Sequence, residues 1–258
     1  MMVNTGETEL NVRIDGPESA PPLLLVNSLG TTTDMWEPQL PALGSKFRVI
    51  RYDARGHGGS KPPAGPVTID DLGRDAVALL DRLGLTRVHV CGVSLGGMTA
   101  QWLAAHAPDR VDRIVIANSA PQVPPAEVWN NRIATVREKG LEAVVDNLLA
   151  RWLTDDFRAA QPAAAARLRE IFLANDPQGY AACCAAVRDL DLRGELAAIR
   201  TPTLVIGGSE DLATPLAGSE LMAVTIPGAR LVVLKAAHLS NWECAGEFTD
   251  HVLSFLTE

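Results

Sequence analysis

Short apolar runs bounded by polar residues, glycine or proline recur through the first half of the chain, at Leu23 to Val26, Val49 to Tyr52, Val88 to Cys91 and Ile114 to Ala117. Runs this short, without polar alternation, predict strands covered on both faces. Between them Ile69, Leu72, Ala76, Leu80 and Leu83 keep the three-and-four spacing of a helix with one apolar side. Strand, helix and strand in that order predict a mainly parallel twisted sheet with helices on both faces, an α/β architecture. Asn11 to Ile14 reads as an earlier strand in an antiparallel edge region.

The rhythm changes at Pro121. From there to Leu192 no strand-like run occurs; Ile133 to Lys139, Leu141 to Leu153 and Ala163 to Leu173 read as helical, and the segment PQVPP opens the stretch. Strands resume at Thr203 to Ile206 and Leu231 to Leu234, and a last helix is expected from about Gly246 to Leu256. The pattern predicts one core, residues 1–120 and 193–258, with a helical lid at residues 121–192 grown from a loop.

With 258 residues, 47% of them apolar and 21% charged, the chain has ordinary globular composition and enough length for one substantial core. A net charge of −8 argues against nucleic acid as a partner and means that an anionic ligand needs a local cation. No apolar run approaches the roughly eighteen residues of a membrane span. The opening MMVNTGETEL lacks the basic and apolar regions of a signal peptide, so a soluble cytoplasmic protein with no membrane partner is expected. Cys91, Cys183, Cys184 and Cys244 have neither zinc-ligand spacing nor a disulfide framework and are expected as reduced thiols. The adjacent pair Cys183 and Cys184 suits helix packing. Nothing in the sequence sets an oligomeric state.

The chemistry centres on RVHVCGVSLGGMTAQWLAAH, Arg87 to His106, where Gly92-Val93-Ser94-Leu95-Gly96 stands between an apolar strand and a helix-forming run. A Gly-x-Ser-x-Gly turn in that context exposes a serine nucleophile on a strained backbone, and its flanking positions must be nearly bare. Serine needs a base, and the base needs a carboxylate to fix its tautomer. Of five histidines, His89 lies in the strand before the turn, His106 near the end of the next helix and His251 in the last helix. His57, in the glycine-rich DARGHGGS, reads as a turn-shaping residue. His238 follows LVVL and precedes the last helix, at the carboxyl edge where open α/β sheets gather their sites. GGSEDLATP follows Thr203 to Ile206 and offers Glu210 and Asp211; Asp211 is the chosen carboxylate and Glu210 a solvated neighbour. Backbone N–H groups of Leu95, at the helix start, and of Leu29, in Asn27-Ser28-Leu29-Gly30, are the expected oxyanion donors.

With Ser94, Asp211 and His238 in that order, the chain resembles the α/β-hydrolase family, through NSLG at Asn27, YDARGHGGS at Tyr52, CGVSLGGM at Cys91 and GGSEDLATP at Gly207. Within the family it is most similar to the branch that hydrolyses 3-oxoadipate enol-lactone. That likeness rests on NSLGTTTDMW, Trp129-Asn130-Asn131-Arg132-Ile133, GYAACCAAVRDLDLR from Gly179 and AHLSNWE from Ala237. Val67 and Cys244-Ala245 depart from that branch's pattern. The resemblance implies the α/β-hydrolase fold with a helical cap inserted after the sixth strand. It implies an acyl-enzyme hydrolysis of a small anionic lactone in aromatic catabolism, with no metal or organic cofactor. Trp129 is then expected to line the pocket, and Arg132, three residues along the same helix, to meet the substrate's carboxylate. A general carboxylesterase, a cofactor-free perhydrolase or a carbon–carbon bond hydrolase uses the same triad, and a non-catalytic ligand-binding protein can share the fold.

Overall fold

The computed structural model describes residues 1–123 and 125–258; Pro124, within the PQVPP segment, lies outside the described residues. Its strands are β1 (Met2–Asn4), β2 (Glu9–Asp15), β3 (Pro22–Val26), β4 (Arg48–Tyr52), β5 (Val88–Val93), β6 (Val111–Ala117), β7 (Thr203–Gly208) and β8 (Arg230–Leu234). They form one eight-stranded sheet in the order β1-β2-β4-β3-β5-β6-β7-β8. β2 runs antiparallel to both β1 and β4, and every pairing from β4 across to β8 is parallel. The strand expected at Asn11 to Ile14 is therefore second in the sheet, with β1 outside it. Three residues with only Val3 buried carry too little pattern to have shown β1 in advance.

The helices, in chain order, are α1 (Leu40–Leu43), α2 (Ile69–Arg82), α3 (Leu95–His106), α4 (Ala126–Lys139), α5 (Val145–Trp152), α6 (Asp155–Ala160), α7 (Pro162–Leu173), α8 (Pro177–Asp189), α9 (Leu216–Thr225), α10 (Ser240–Glu243) and α11 (Ala245–Leu256). Successive side chains of a strand point to opposite faces. Leu23 and Leu25 of β3 accordingly pack in one apolar cluster with α11 and the helical segment α4 to α8. Leu24 and Val26 pack in the other, with α2 and α3. Both faces being covered explains the unbroken apolar run. β8 differs: as the edge strand it leaves Leu231 and Val233 exposed.

α2 starts where a capping box allows, Thr68 Oγ1 accepting the Asp71 N–H while the Asp71 carboxylate accepts the Thr68 N–H. Helices α4 to α8 follow β6 and precede β7 with no described strand between them. This segment is tied back to the sheet side by Val67 N–H donating to Ala182 O at 3.2 Å, and its two ends are joined by Leu192 N–H donating to Pro121 O at 2.9 Å. The carboxyl ends of β3, β5, β7 and β8 lie on one edge of the sheet, the position favoured for ligand sites in such folds.

Candidate active site

Ser94 follows β5 and caps α3 with φ 57° and ψ −116°. A non-glycine residue there is strained by roughly 1–3 kcal/mol and persists only when its surroundings fix it. Its N–H donates to Ala117 O at 2.9 Å, and Ser119 Oγ donates to Ser94 O at 2.8 Å. The glycines are a steric demand: a Cβ on Gly92 would lie 2.1 Å from Gly96 O, and one on Gly96 would lie 2.0 Å from Val26 O.

His238 sits in the loop after β8, with Nδ1 2.9 Å from Asp211 Oδ2 and 3.1 Å from Oδ1. This contact puts a proton on Nδ1 and leaves Nε2 as the basic nitrogen of the neutral ring. Asp211 is buried and also accepts from Ala213 N–H at 2.8 Å, Thr214 N–H at 2.9 Å and Thr214 Oγ1 at 2.8 Å. Burial works to raise the Asp211 carboxyl, but the electrostatic pull of His238 and the hydrogen bonds from His238 and Thr214 outweigh it and hold it down at about 2. Ser94 and His238 open onto the same cavity. Among the described residues no hydrogen bond joins Ser94 Oγ to the imidazole. Glu210 is exposed and takes no part.

Asn118, at the end of β6, holds this arrangement together from a buried position with φ 44°. Its Nδ2 donates to Asp211 Oδ2 at 3.2 Å and to Ala237 O at 3.1 Å, and its Oδ1 accepts from Ser240 Oγ. Glu243 ties the same loop to the helical segment: one carboxylate oxygen accepts the Ala237 N–H, the other the Thr154 N–H and hydroxyl, both at 2.7 Å.

The turn Ser28 to Thr31 carries the other expected donor. Ser28 N–H faces Met35 Sδ at 3.1 Å and Gly30 N–H donates to His57 Nε2 at 2.9 Å. Among the described residues the N–H groups of Leu29 and Leu95 have no acceptor. Unpaired donors are what an oxyanion needs, and Leu29 lines the cavity.

That cavity, about 440 Å³, lies between the sheet edge and α4, α5 and α8. Trp129 and Arg132 of α4 both line it. Trp129 is also buried in the apolar cluster of the helical segment, its Nε1 donating to Val123 O at 3.0 Å, and the Arg132 guanidinium lies 4.6 Å over its ring. Arg151 of α5, not singled out from the sequence, also lines the cavity and donates to Leu212 O. Burial and the nearby Arg132 charge lower its pKa. Among the described residues neither guanidinium has a carboxylate within ion-pair distance.

The other histidines lie elsewhere in the fold. His89 meets Phe47 edge-on at 5.8 Å, and His106 stacks on Trp102 at 4.7 Å. His251 pairs loosely with Glu247 on α11 at 3.9 Å. Among the described residues no three His, Cys, Asp or Glu side chains are grouped to hold a metal ion, and the four cysteines are unpaired. No described helix is long and apolar enough to cross a membrane. Arg151, Thr214 and Asn118 escaped the sequence reading. Thr214, three residues after Asp211, did carry a local signal, since an aspartate often accepts bonds from the residues that follow it.

The chain matches the alpha/beta hydrolase fold family over residues 21–245. It is 39% identical over 237 residues to 3-oxoadipate enol-lactonase 2 of Acinetobacter baylyi, covering 92% of this chain and 89% of that protein. It is also 39% identical over 248 residues to 3-oxoadipate enol-lactonase 1 of the same organism, covering 96% and 93%. Among solved structures it is similar to the enol-lactonase from Burkholderia xenovorans LB400, with 44% identity, a TM-score of 0.98 and full coverage of both chains.

Proposed function

The chain belongs to the alpha/beta hydrolase family and is a carboxylic ester hydrolase, and on that footing we propose that it opens the ring ester of 3-oxoadipate enol-lactone to give 3-oxoadipate. One observation carries this choice over a neutral ester: the cavity that holds Ser94 and His238 also holds Arg132 and Arg151, two cations without a carboxylate partner among the described residues, in a protein of net charge −8. An anionic small molecule with an ester carbonyl fits that pairing of chemistry.

In this reading Ser94 Oγ attacks the ring carbonyl while His238 Nε2 takes its proton, and Asp211 stabilises the imidazolium that forms. The carbonyl oxygen becomes an oxyanion and is met by the N–H groups of Leu29 and Leu95. When the ring C–O bond breaks, the leaving group is an enolate, more stable than a simple alkoxide. His238 returns the proton and the enol tautomerises to the ketone. A water deprotonated by His238 then attacks the acyl-enzyme and frees the acid. Trp129 shapes the pocket wall, and Arg132 and Arg151 hold the acetate arm. The hydrolysis takes place in the cytoplasm, as a step of aromatic-acid breakdown.

Turnover of the enol-lactone beside 4-nitrophenyl acetate tests the proposal. A kcat/KM for the lactone at least about tenfold higher supports it, since that ratio corresponds to one charge-assisted contact with the carboxylate. A preference for the neutral ester points to a general carboxylesterase, and turnover of neither points to a ligand-binding protein.

A further inference from the structure

His57 is neither a base facing the cavity nor only a turn former. It is buried, and its Nδ1 lies 3.3 Å from Arg55 O while its Nε2 lies 2.9 Å from Gly30 N. The two contacts fix one neutral tautomer: Nδ1–H donates to the carbonyl and Nε2 accepts the Gly30 N–H. Burial lowers the pKa of the ring, in keeping with that neutral form.

Gly30 is the third residue of a turn closed by Thr31 N–H donating to Ser28 O at 3.1 Å, and its φ is +80°, the geometry of a type II turn. In such a turn the central peptide, here Leu29 to Gly30, can rotate to the type I orientation. The imidazole opposes that rotation, because a flipped peptide would aim the Leu29 carbonyl at the Nε2 lone pair. The next peptide is held from the other side. Asn175, buried between α7 and α8, donates from Nδ2 to Gly30 O at 2.9 Å and accepts the Gly58 N–H on Oδ1 at 3.0 Å. A side chain on Gly30 would lie 2.8 Å from the Phe172 ring, so α7 also closes the space above the turn.

We propose that His57 and Asn175 are positioning residues of the oxyanion hole: they hold the Leu29–Gly30 and Gly30–Thr31 peptides, and through the latter the Thr31 N–H that, with the Thr31 hydroxyl at 2.8 Å, binds Ser28 O, the carbonyl of the peptide that carries the Leu29 N–H, so that this N–H stays aimed into the cavity. Asn175 belongs to the helical segment and His57 to the sheet side, so the donor is set only when the two parts are docked. The inference rests on the serine-hydrolase reading of Ser94 and Leu29.

Its test is 4-nitrophenyl acetate turnover by the wild type, His57→Gln, His57→Leu and Asn175→Ala, with the melting temperature of each. Losing an oxyanion donor outright costs about 10²–10³ in rate, so a misaimed donor should cost about 10–100-fold in kcat, with KM within about threefold, in His57→Leu and Asn175→Ala. His57→Gln, whose amide oxygen can still accept the Gly30 N–H, should stay within about threefold of wild type. A folded His57→Leu or Asn175→Ala with wild-type kcat overturns the assignment, and so does His57→Gln losing as much as His57→Leu. Should neither His57→Leu nor Asn175→Ala fold, the glutamine variant decides: kcat kept supports the assignment, and a folded protein with kcat down more than about tenfold rejects it. A wild type inert toward both this ester and the lactone sinks the hydrolase reading itself.

Discussion

Asn118 Nδ2 donates to Asp211 Oδ2 across 3.2 Å, from a backbone at φ 44°. The same amide holds Ala237 O and Ser240 Oγ, so one side chain fixes the acid and the histidine loop relative to each other. Asn118→Ala should lower kcat/KM by roughly tenfold, the rate equivalent of one hydrogen bond to a charged group. Steady-state kinetics on any accepted ester checks this, and an unchanged kcat/KM removes Asn118 from the positioning of Asp211.

Asp211→Asn keeps the shape and removes the charge that the imidazolium needs, and should lower kcat by about 10⁴-fold. The carboxylate also leaves a mark on stability. Its folded pKa of about 2 lies below the ordinary value near 3.9. The contribution is therefore complete above about pH 4 and disappears as pH falls through about 2, because only the unfolded chain takes up the proton in between. Acid unfolding followed by circular dichroism should show that component in the wild type and not in Asp211→Asn.

Arg132 and Arg151 should discriminate by charge. Arg132→Gln or Arg151→Gln is expected to lower kcat/KM for the enol-lactone by about 10–100-fold, one charge-assisted contact, while 4-nitrophenyl acetate stays within about threefold. Equal losses on both substrates would assign the arginines to the shape of the cavity instead of recognition of the carboxylate.

His57 should leave a pH signature of the opposite origin. Its pKa is lowered on folding by burial, against an ordinary value near 6.5. Below that value the unfolded chain binds a proton that the folded protein refuses, so the wild type loses stability as pH falls from about 6.5. His89, whose pKa is also lowered by burial, adds to the same slope. Melting temperatures between pH 8 and 5 should fall less steeply for His57→Gln than for wild type, and parallel curves would mean that His57 accepts a proton in the folded state.

The sheet was legible because a parallel strand covered on both faces writes itself as an unbroken apolar run, as in Leu23 to Val26. β1 was not, being three residues at the margin, and α9 was not, since LAGSELMAVT buries only Ser219 and Met222 and shows no apolar stripe. Ser94 stood out because a strained turn restricts its neighbours to glycine, which leaves a local trace in the sequence. His238 and Asp211 followed from their places after β8 and β7, where the fold converges. Arg151 and Asn175 had no such trace. Arg151 matters because α5 points it at a cavity whose other walls come from the sheet edge, and Asn175 because it bridges to Gly30, 145 positions away. His57 was read as a turn residue, and the bond that sets its role crosses to Gly30, 27 positions earlier.

Loss of the enol-lactone followed spectrophotometrically, with wild type and Ser94→Ala side by side at equal folded concentration, tests the central claim most directly. Turnover by the wild type and a fall of at least about 10⁴-fold in Ser94→Ala are the expected result. Ser94→Ala opening the lactone as fast as the wild type would contradict the account.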